Sequence, residues 1–306
     1  MRPKRLLNAA GILLALGVSL LVARHFLRSG WPLHGANLWL VALAALILLA
    51  AYAFKAWGWQ RLFHQESRPG VLTLAAAGGA ASVGGIALPG RCDELIRIAV
   101  VRRGPGRRAS LGAVVLSLFV LGLIDSAALA PLATVAAALT TASGLVRIAL
   151  IVVAVAGIGA TLVVLGLPRL SRLRFLSRFQ VVDWVAEHAT GPREASKAWA
   201  LVSASWALRS IAVFVLLAAL GMGNSFALAL AFLCASSASA VLPVAPAGAA
   251  TQAGAGAAIL VASGVHGEQA IAFAVSAQAL LMAVGAVYVL AMGAAHAGAR
   301  LRPAFR

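Results

Sequence analysis

Arg91, Asp93, Glu94 and Arg97 crowd into the stretch Leu88-Pro89-Gly90-Arg91-Cys92-Asp93-Glu94-Leu95-Ile96-Arg97, beside a Pro-Gly helix break. Arginine presents a planar fork of donors that matches a phosphate or a carboxylate. The two acids can hold those forks in place or take a cationic group themselves. Glu94 and Arg97 are three apart, so on a helix they share a face. The competing reading is that Arg91 and Arg97 only set membrane orientation, with local counter-ions. The residue types leave the two readings level.

Two further charges lie deep in apolar sequence. Asp125 sits in Val120-Leu121-Gly122-Leu123-Ile124-Asp125-Ser126, and Arg209 in Trp206-Ala207-Leu208-Arg209-Ser210. An unpaired charge at such a depth costs roughly 2.5–3.5 kcal/mol on insertion scales. Each is therefore the other's most plausible partner. We expect Asp125 and Arg209 to pair across the bundle, or to share a polar headgroup or a proton; the alternative is a purely structural pair. Asn at position 125 is expected to leave folding intact and to impair transport.

Other chemistry is thin. His25, His34, His64, His188, His266 and His296 have no ligand spacing, so no metal is expected. Glu268 reads as an interfacial charge. Gly254-Ala255-Gly256 lies in apolar sequence with no strand before it, and no Gly-Lys-Ser phosphate loop is present, so no nucleotide cofactor is expected. No nucleophile constellation points to an enzyme. Cys92 and Cys234 suggest neither a disulfide framework nor a metal site.

The elements that must position these residues follow from composition. The 306 residues are 62% hydrophobic and 11% charged, against roughly a quarter charged in soluble domains. Apolar runs cover Leu6–Phe26, Ala36–Trp57, Val71–Leu88, Leu111–Leu139, Leu145–Leu167, Ala198–Leu220, Phe226–Leu242, Ala249–Val265 and Ala270–Met292. Bilayer hydrocarbon offers backbone groups no water, so such runs must be helical, and about 20 residues suffice to span. Leu6–Phe26 is longer than a signal-peptide core and ends in Arg24-His25, so it is read as a retained span. The expectation is an all-α, polytopic transmembrane bundle forming a single integral membrane domain over 1–306.

The net charge of +17 would suggest nucleic acid in a soluble protein, but its distribution excludes that reading. All of the 25 Lys and Arg except Arg24, Arg28, Arg147 and Arg209 fall at the N-terminus, at 55–68, 91–108 and 169–197, or at the C-terminus. The positive-inside rule places those five segments, and both termini, on the cytoplasmic side of the cell (inner) membrane. Segments 55–68 and 91–108 then share a side although an apolar run separates them. Residues 71–101 are therefore expected to be a re-entrant hairpin turning at Pro89-Gly90. Residues 226–265 must begin and end outside, as a second hairpin of opposite orientation or as two short spans. Two interrupted hairpins entering from opposite faces are the pattern of an inverted-repeat transporter, whose broken backbone lines a cavity; ordinary proline kinks are the bland alternative. Arg169 to Phe179 alternates basic and apolar residues, as either an inner-leaflet surface segment or a plain loop.

These residues resemble a known family. Pro89 to Arg97, Arg102-Arg103 and the intramembrane Asp125 look like the first signature of the lysylphosphatidylglycerol synthase transmembrane-region family, also called flippase-like proteins. Leu242-Pro243-Val244-Ala245-Pro246-Ala247-Gly248 resembles the second. The resemblance covers about residues 6–295. It implies an integral membrane domain that moves lipid between leaflets, with Pro89, Arg91, Glu94 and Arg97 in one half-site and Pro243, Pro246 and Gly248 in the other. Three positions depart from the pattern: Asp93 stands where glycine is usual, Ala247 interrupts the Pro-Gly-Gly turn, and neutral Gln252 replaces an acid. The aminoacyl-transferase domain of the full synthases is missing, so synthesis of lysyl-lipid is not expected. The expected function is translocation of a lipid or lipid-linked amphiphile, with Asp93 and Gln252 also at the headgroup site, as a homo-oligomer or with a lipid-synthesis partner. The alternatives are a secondary transporter of a small solute, with Asp125 as a proton site, and a membrane-embedded transferase or non-catalytic partner in a lipid-synthesis complex.

Overall fold

The structure is a computed structural model that describes residues 24, 28, 30, 33, 35–84, 92–104, 109–139, 144–170, 191–239 and 248–301. Every regular element among the described residues is helical. In chain order they are α1 (Leu38–Gln60), α2 (Val71–Gly84), α3 (Cys92–Arg103), α4 (Leu111–Leu139), α5 (Gly144–Leu170), α6 (Pro192–Ala219), α7 (Phe226–Ser239), α8 (Gly248–Ala262) and α9 (Gly267–Leu301), with one 3-10 turn at Gln65–Ser67. Among the described residues, α1, α4, α5, α6 and α9 contain stretches long and apolar enough to cross a membrane. The chain is thus an integral membrane helical bundle. The expected span Leu6–Phe26 and the turns at 89–90 and 242–247 lie outside the described residues.

Local sequence sets the helix ends. Asn37 caps α1, its side chain accepting from the N–H groups of Trp39 at 3.1 Å and Leu40 at 3.3 Å. Ser110 and Ser225 cap α4 and α7 in the same way, through Ala113 and Leu228. At the other end, α6 closes with Met222 N–H on the Leu217 carbonyl and Gly221 N–H on Ala218, while α8 closes with Val265 on Leu260 and Gly264 on Val261. Both are Schellman closures, which need a residue of positive φ; Gly221 (71°) and Gly264 (93°) supply it.

Small residues let the helices approach, which is what drives association where the surroundings are as apolar as the side chains. α1 and α6 run antiparallel along their whole length. Asn37 N–H reaches the Ala219 carbonyl at 2.9 Å, Ser205 Oγ donates to the Ala51 carbonyl at 2.7 Å, and Gly58 lies against Ala198 and Val202. α2 crosses α9 where Gly79 meets Gly285 backbone to backbone, and α5 meets α4 where Gly157 meets Ser126 and Ala130. A continuous core of Val114, Leu121, Ile124, Val202, Leu217, Leu230, Leu260 and Phe273 joins these contacts. Ile148, Val155 and Leu162 on α5 and Leu290 on α9 face outward, 58%, 61%, 67% and 71% exposed, as lipid-facing positions do.

The short helices form two packed pairs, of which α2 and α3 are antiparallel. In α2 and α3, Thr73 lies against Gly104 and Gly84 against Ile96, so the chain returns beside its start. In α7 and α8, Gly256 packs on Phe232 and Ser236, and Phe232 sits edge-on to Phe273 of α9 at 5.0 Å.

Candidate functional site

The polar groups in the bundle interior gather where α1, α4 and α6 meet. Tyr52 and Lys55 are three apart on α1, and Trp206 and Arg209 are three apart on α6, so each pair shares a helix face. Lys55 Nζ lies 2.7 Å from Asp125 Oδ2 of α4, and Trp206 Nε1 donates to Asp125 Oδ1 at 3.0 Å. One carboxylate is thus held on both oxygens, by an ammonium and an indole from two different helices. The Arg209 guanidinium carbon lies 5.2 Å from the centroid of the Trp206 ring and 5.5 Å from that of Tyr52. Lys55 Nζ is 5.8 Å from the Trp206 ring centroid. Such cation–π contacts are strongest where water is excluded.

The surrounding helices fix the aromatic wall. Tyr52 shares a 2.6 Å hydrogen bond with Ser82 of α2, whose hydroxyl also donates to the Gly78 carbonyl at 3.1 Å. Tyr52 stacks on Tyr288 of α9 at 5.9 Å, and Tyr288 donates to the Leu49 carbonyl at 2.7 Å. The cluster therefore draws on α1, α2, α4, α6 and α9.

At about 1.5 Å per residue, Asp125 is roughly 21 Å from the N-terminal end of α4 and Arg209 roughly 15 Å from the C-terminal end of α6, while Lys55 is roughly 8 Å from the C-terminal end of α1. Glu194 makes a separate cluster near the start of α6, with Lys197 at 2.7 Å, Arg61 at 3.5 Å and Arg68 at 3.7 Å. Those charges occupy the end of the bundle, as orientation-setting residues do.

The expected Asp125–Arg209 pair is corrected: the ion-pair partner of Asp125 is Lys55. Arg209 reaches the same cluster but lies on the Trp206 and Tyr52 rings, while Lys55 meets the carboxylate from the facing helix. Sequence reasoning missed Lys55 by grouping it with the cytoplasmic connection, although it falls inside the apolar run Ala36–Trp57, one helical turn from Tyr52. Trp206 was missed too, because an indole in an apolar helix gives no sign of where its N–H points.

Of the other expected site residues, Asp93 and Arg97 are joined on α3, one turn apart, at 3.5 Å. Glu94 is half-buried in the first turn of α3, Gly248 begins α8, and Gln252 is half-buried one turn later. Pro89, Arg91, Pro243 and Pro246 lie outside the described residues. Glu268 stands in the first turn of α9, where the helix dipole favours an acid. Among the described residues no three His, Cys, Asp or Glu side chains could hold a metal ion.

Residues 8–289 match the family described as Lysylphosphatidylglycerol synthase TM region. The match covers most of the chain and the whole polar cluster, and the chain belongs to this family. Comparison with curated proteins and with solved structures finds no match.

Proposed function

We propose that this member of the lysylphosphatidylglycerol synthase TM region family translocates an amphiphilic lipid between leaflets. The headgroup passes along the polar cluster while the tails stay in the bilayer. The observation that carries this reading is the Lys55–Asp125 pair, inside a bundle whose outer face is apolar. Charges at such a depth are costly and mark substrate paths. Asp93–Arg97 on α3 adds a second charge pair. Headgroup contacts are assigned to Arg91, Asp93, Glu94 and Arg97 on one side, and to Pro243, Pro246, Gly248 and Gln252 on the other.

Re-entry of the short helix pairs belongs to this reading. The antiparallel packing of α2 on α3, with Thr73 against Gly104, brings the chain back beside its start and supports entry and return on one side, with the termini cytoplasmic in the cell membrane. The test is reconstitution into vesicles with fluorescent anionic, zwitterionic and cationic lipids, followed by bleaching of the outer leaflet. Wild type is expected to expose inner-leaflet probe of at least one class and Asp125→Asn to slow it; a folded wild type that moves no lipid of any class overturns the reading.

One observation favours a second reading. An intramembrane carboxylate bonded to a lysine suits a proton site, so a secondary transporter of a small solute would use Asp125 for coupling. Solute uptake that follows an imposed pH gradient, with no lipid movement, selects it.

A further inference from the structure

Among the described residues the cations of the cluster do not balance in pairs. Lys55 is matched by Asp125 at 2.7 Å and Arg97 by Asp93 at 3.5 Å. Arg209 is left over: no carboxylate lies within ion-pair distance among the described residues, and its buried Nε has no acceptor. What holds it is two aromatic rings, Trp206 at 5.2 Å and Tyr52 at 5.5 Å. Both rings are anchored, Trp206 by its bond to Asp125 and Tyr52 by its bond to Ser82. Stacking on ring faces satisfies the charge of a guanidinium but none of its N–H donors, which lie in its plane. The rings therefore leave the buried Nε donor of the fork unused. Lys55 Nζ lies 5.8 Å from the centroid of the same indole.

We infer that Arg209 is an oxyanion receptor: held against Trp206 and Tyr52, it takes a phosphate or carboxylate group, with Lys55 as the neighbouring cation. Guanidinium geometry suits a two-point bond to either group. Asp125 holds Lys55 while the receptor is empty and excludes a second anion from the position it fills. This rests on the translocation reading for the source of the anion, a lipid headgroup, and the same chemistry would serve a free anion. It narrows the substrate to amphiphiles that carry an acidic group.

The test is native mass spectrometry of the full-length protein in mild detergent, titrated separately with a short-chain phosphatidylglycerol, a diacylglycerol of equal chain length, and inorganic phosphate. Wild type is expected to retain phosphatidylglycerol over diacylglycerol, and Arg209→Gln to lose roughly tenfold or more of that preference. Arg209→Lys keeps the charge without the fork and is expected to fall between them, which decides the matter should Arg209→Gln fail to fold. Equal retention by wild type and a folded Arg209→Gln or Arg209→Lys overturns the inference, even if wild type moves lipid in vesicles. Binding of inorganic phosphate alone, lost in the variants, supports the receptor with a free anion as its ligand and removes the lipid reading instead.

Discussion

Asp125→Asn isolates the charge of the central carboxylate. The amide is nearly isosteric, and its carbonyl oxygen can still accept from Trp206 Nε1, now 3.0 Å from Asp125 Oδ1. What disappears is the counter-charge of Lys55, 2.7 Å away. Removing one partner of a buried pair costs about 3–5 kcal/mol. Here the side chains are 23% and 22% exposed, so water recovers part of that, and roughly 2 kcal/mol is expected after discounting for solvent. The expectation from sequence that Asn would leave folding intact is thereby revised, because the partner is a lysine that the substitution strands. The assay is equilibrium unfolding in mixed micelles with rising SDS, followed by tryptophan fluorescence, on wild type, Asp125→Asn, Lys55→Met and the double variant. The double variant strands no charge and should be more stable than Asp125→Asn alone, with a coupling of about 1–2 kcal/mol. A folded Asp125→Asn that unfolds with wild type, or a double variant whose losses simply add, would refute the pairing.

Four further outcomes are expected. Trp206→Phe keeps a ring beside Arg209 but removes the indole donor to Asp125, and should cost about 1–2 kcal/mol in the same unfolding assay. Gly79→Ala drives a methyl into the backbone of Gly285 and should cost about 1–3 kcal/mol. Gly122→Ala, with open space around the added carbon, should be neutral or stabilising by up to about 1 kcal/mol; equal effects at the two sites would contradict the α2–α9 contact. With Cys92 and Cys234 replaced by Ser, single cysteines at Glu66 and Ser110 should react with an impermeant maleimide from the same side of the membrane, and labelling from opposite sides would rule out re-entry of α2 and α3.

Much of the fold was legible because helix formation in an apolar setting is forced by local chemistry. Leu111–Leu139 is both the apolar run and α4, and Ser110 just before it is the cap. Val71–Leu88 is an apolar run in the sequence, and α2 begins at its first residue, Val71. Acids and bases within one helical turn, such as Asp93 and Arg97, were also readable, since their spacing alone brings them together. The family followed from ordered motifs along the chain, which three-dimensional contacts do not alter.

Partners between helices were another matter. Asp125 announced itself as a buried charge, yet nothing in its neighbours said that Lys55 rather than Arg209 would meet it. That depends on how α1, α4 and α6 are rotated and shifted against one another. Those offsets are set by distributed contacts: Gly58 on Val202, Ser205 on the Ala51 carbonyl, Asn37 on the Ala219 carbonyl. Each is worth little alone and none has a sequence signature. The sequence by itself determined that the chain is helical, spans a membrane and carries charges it must accommodate there. Only the tertiary packing decided that Asp125 meets Lys55 and that Arg209 lies against aromatic rings, because helix rotation and depth are collective properties of the bundle.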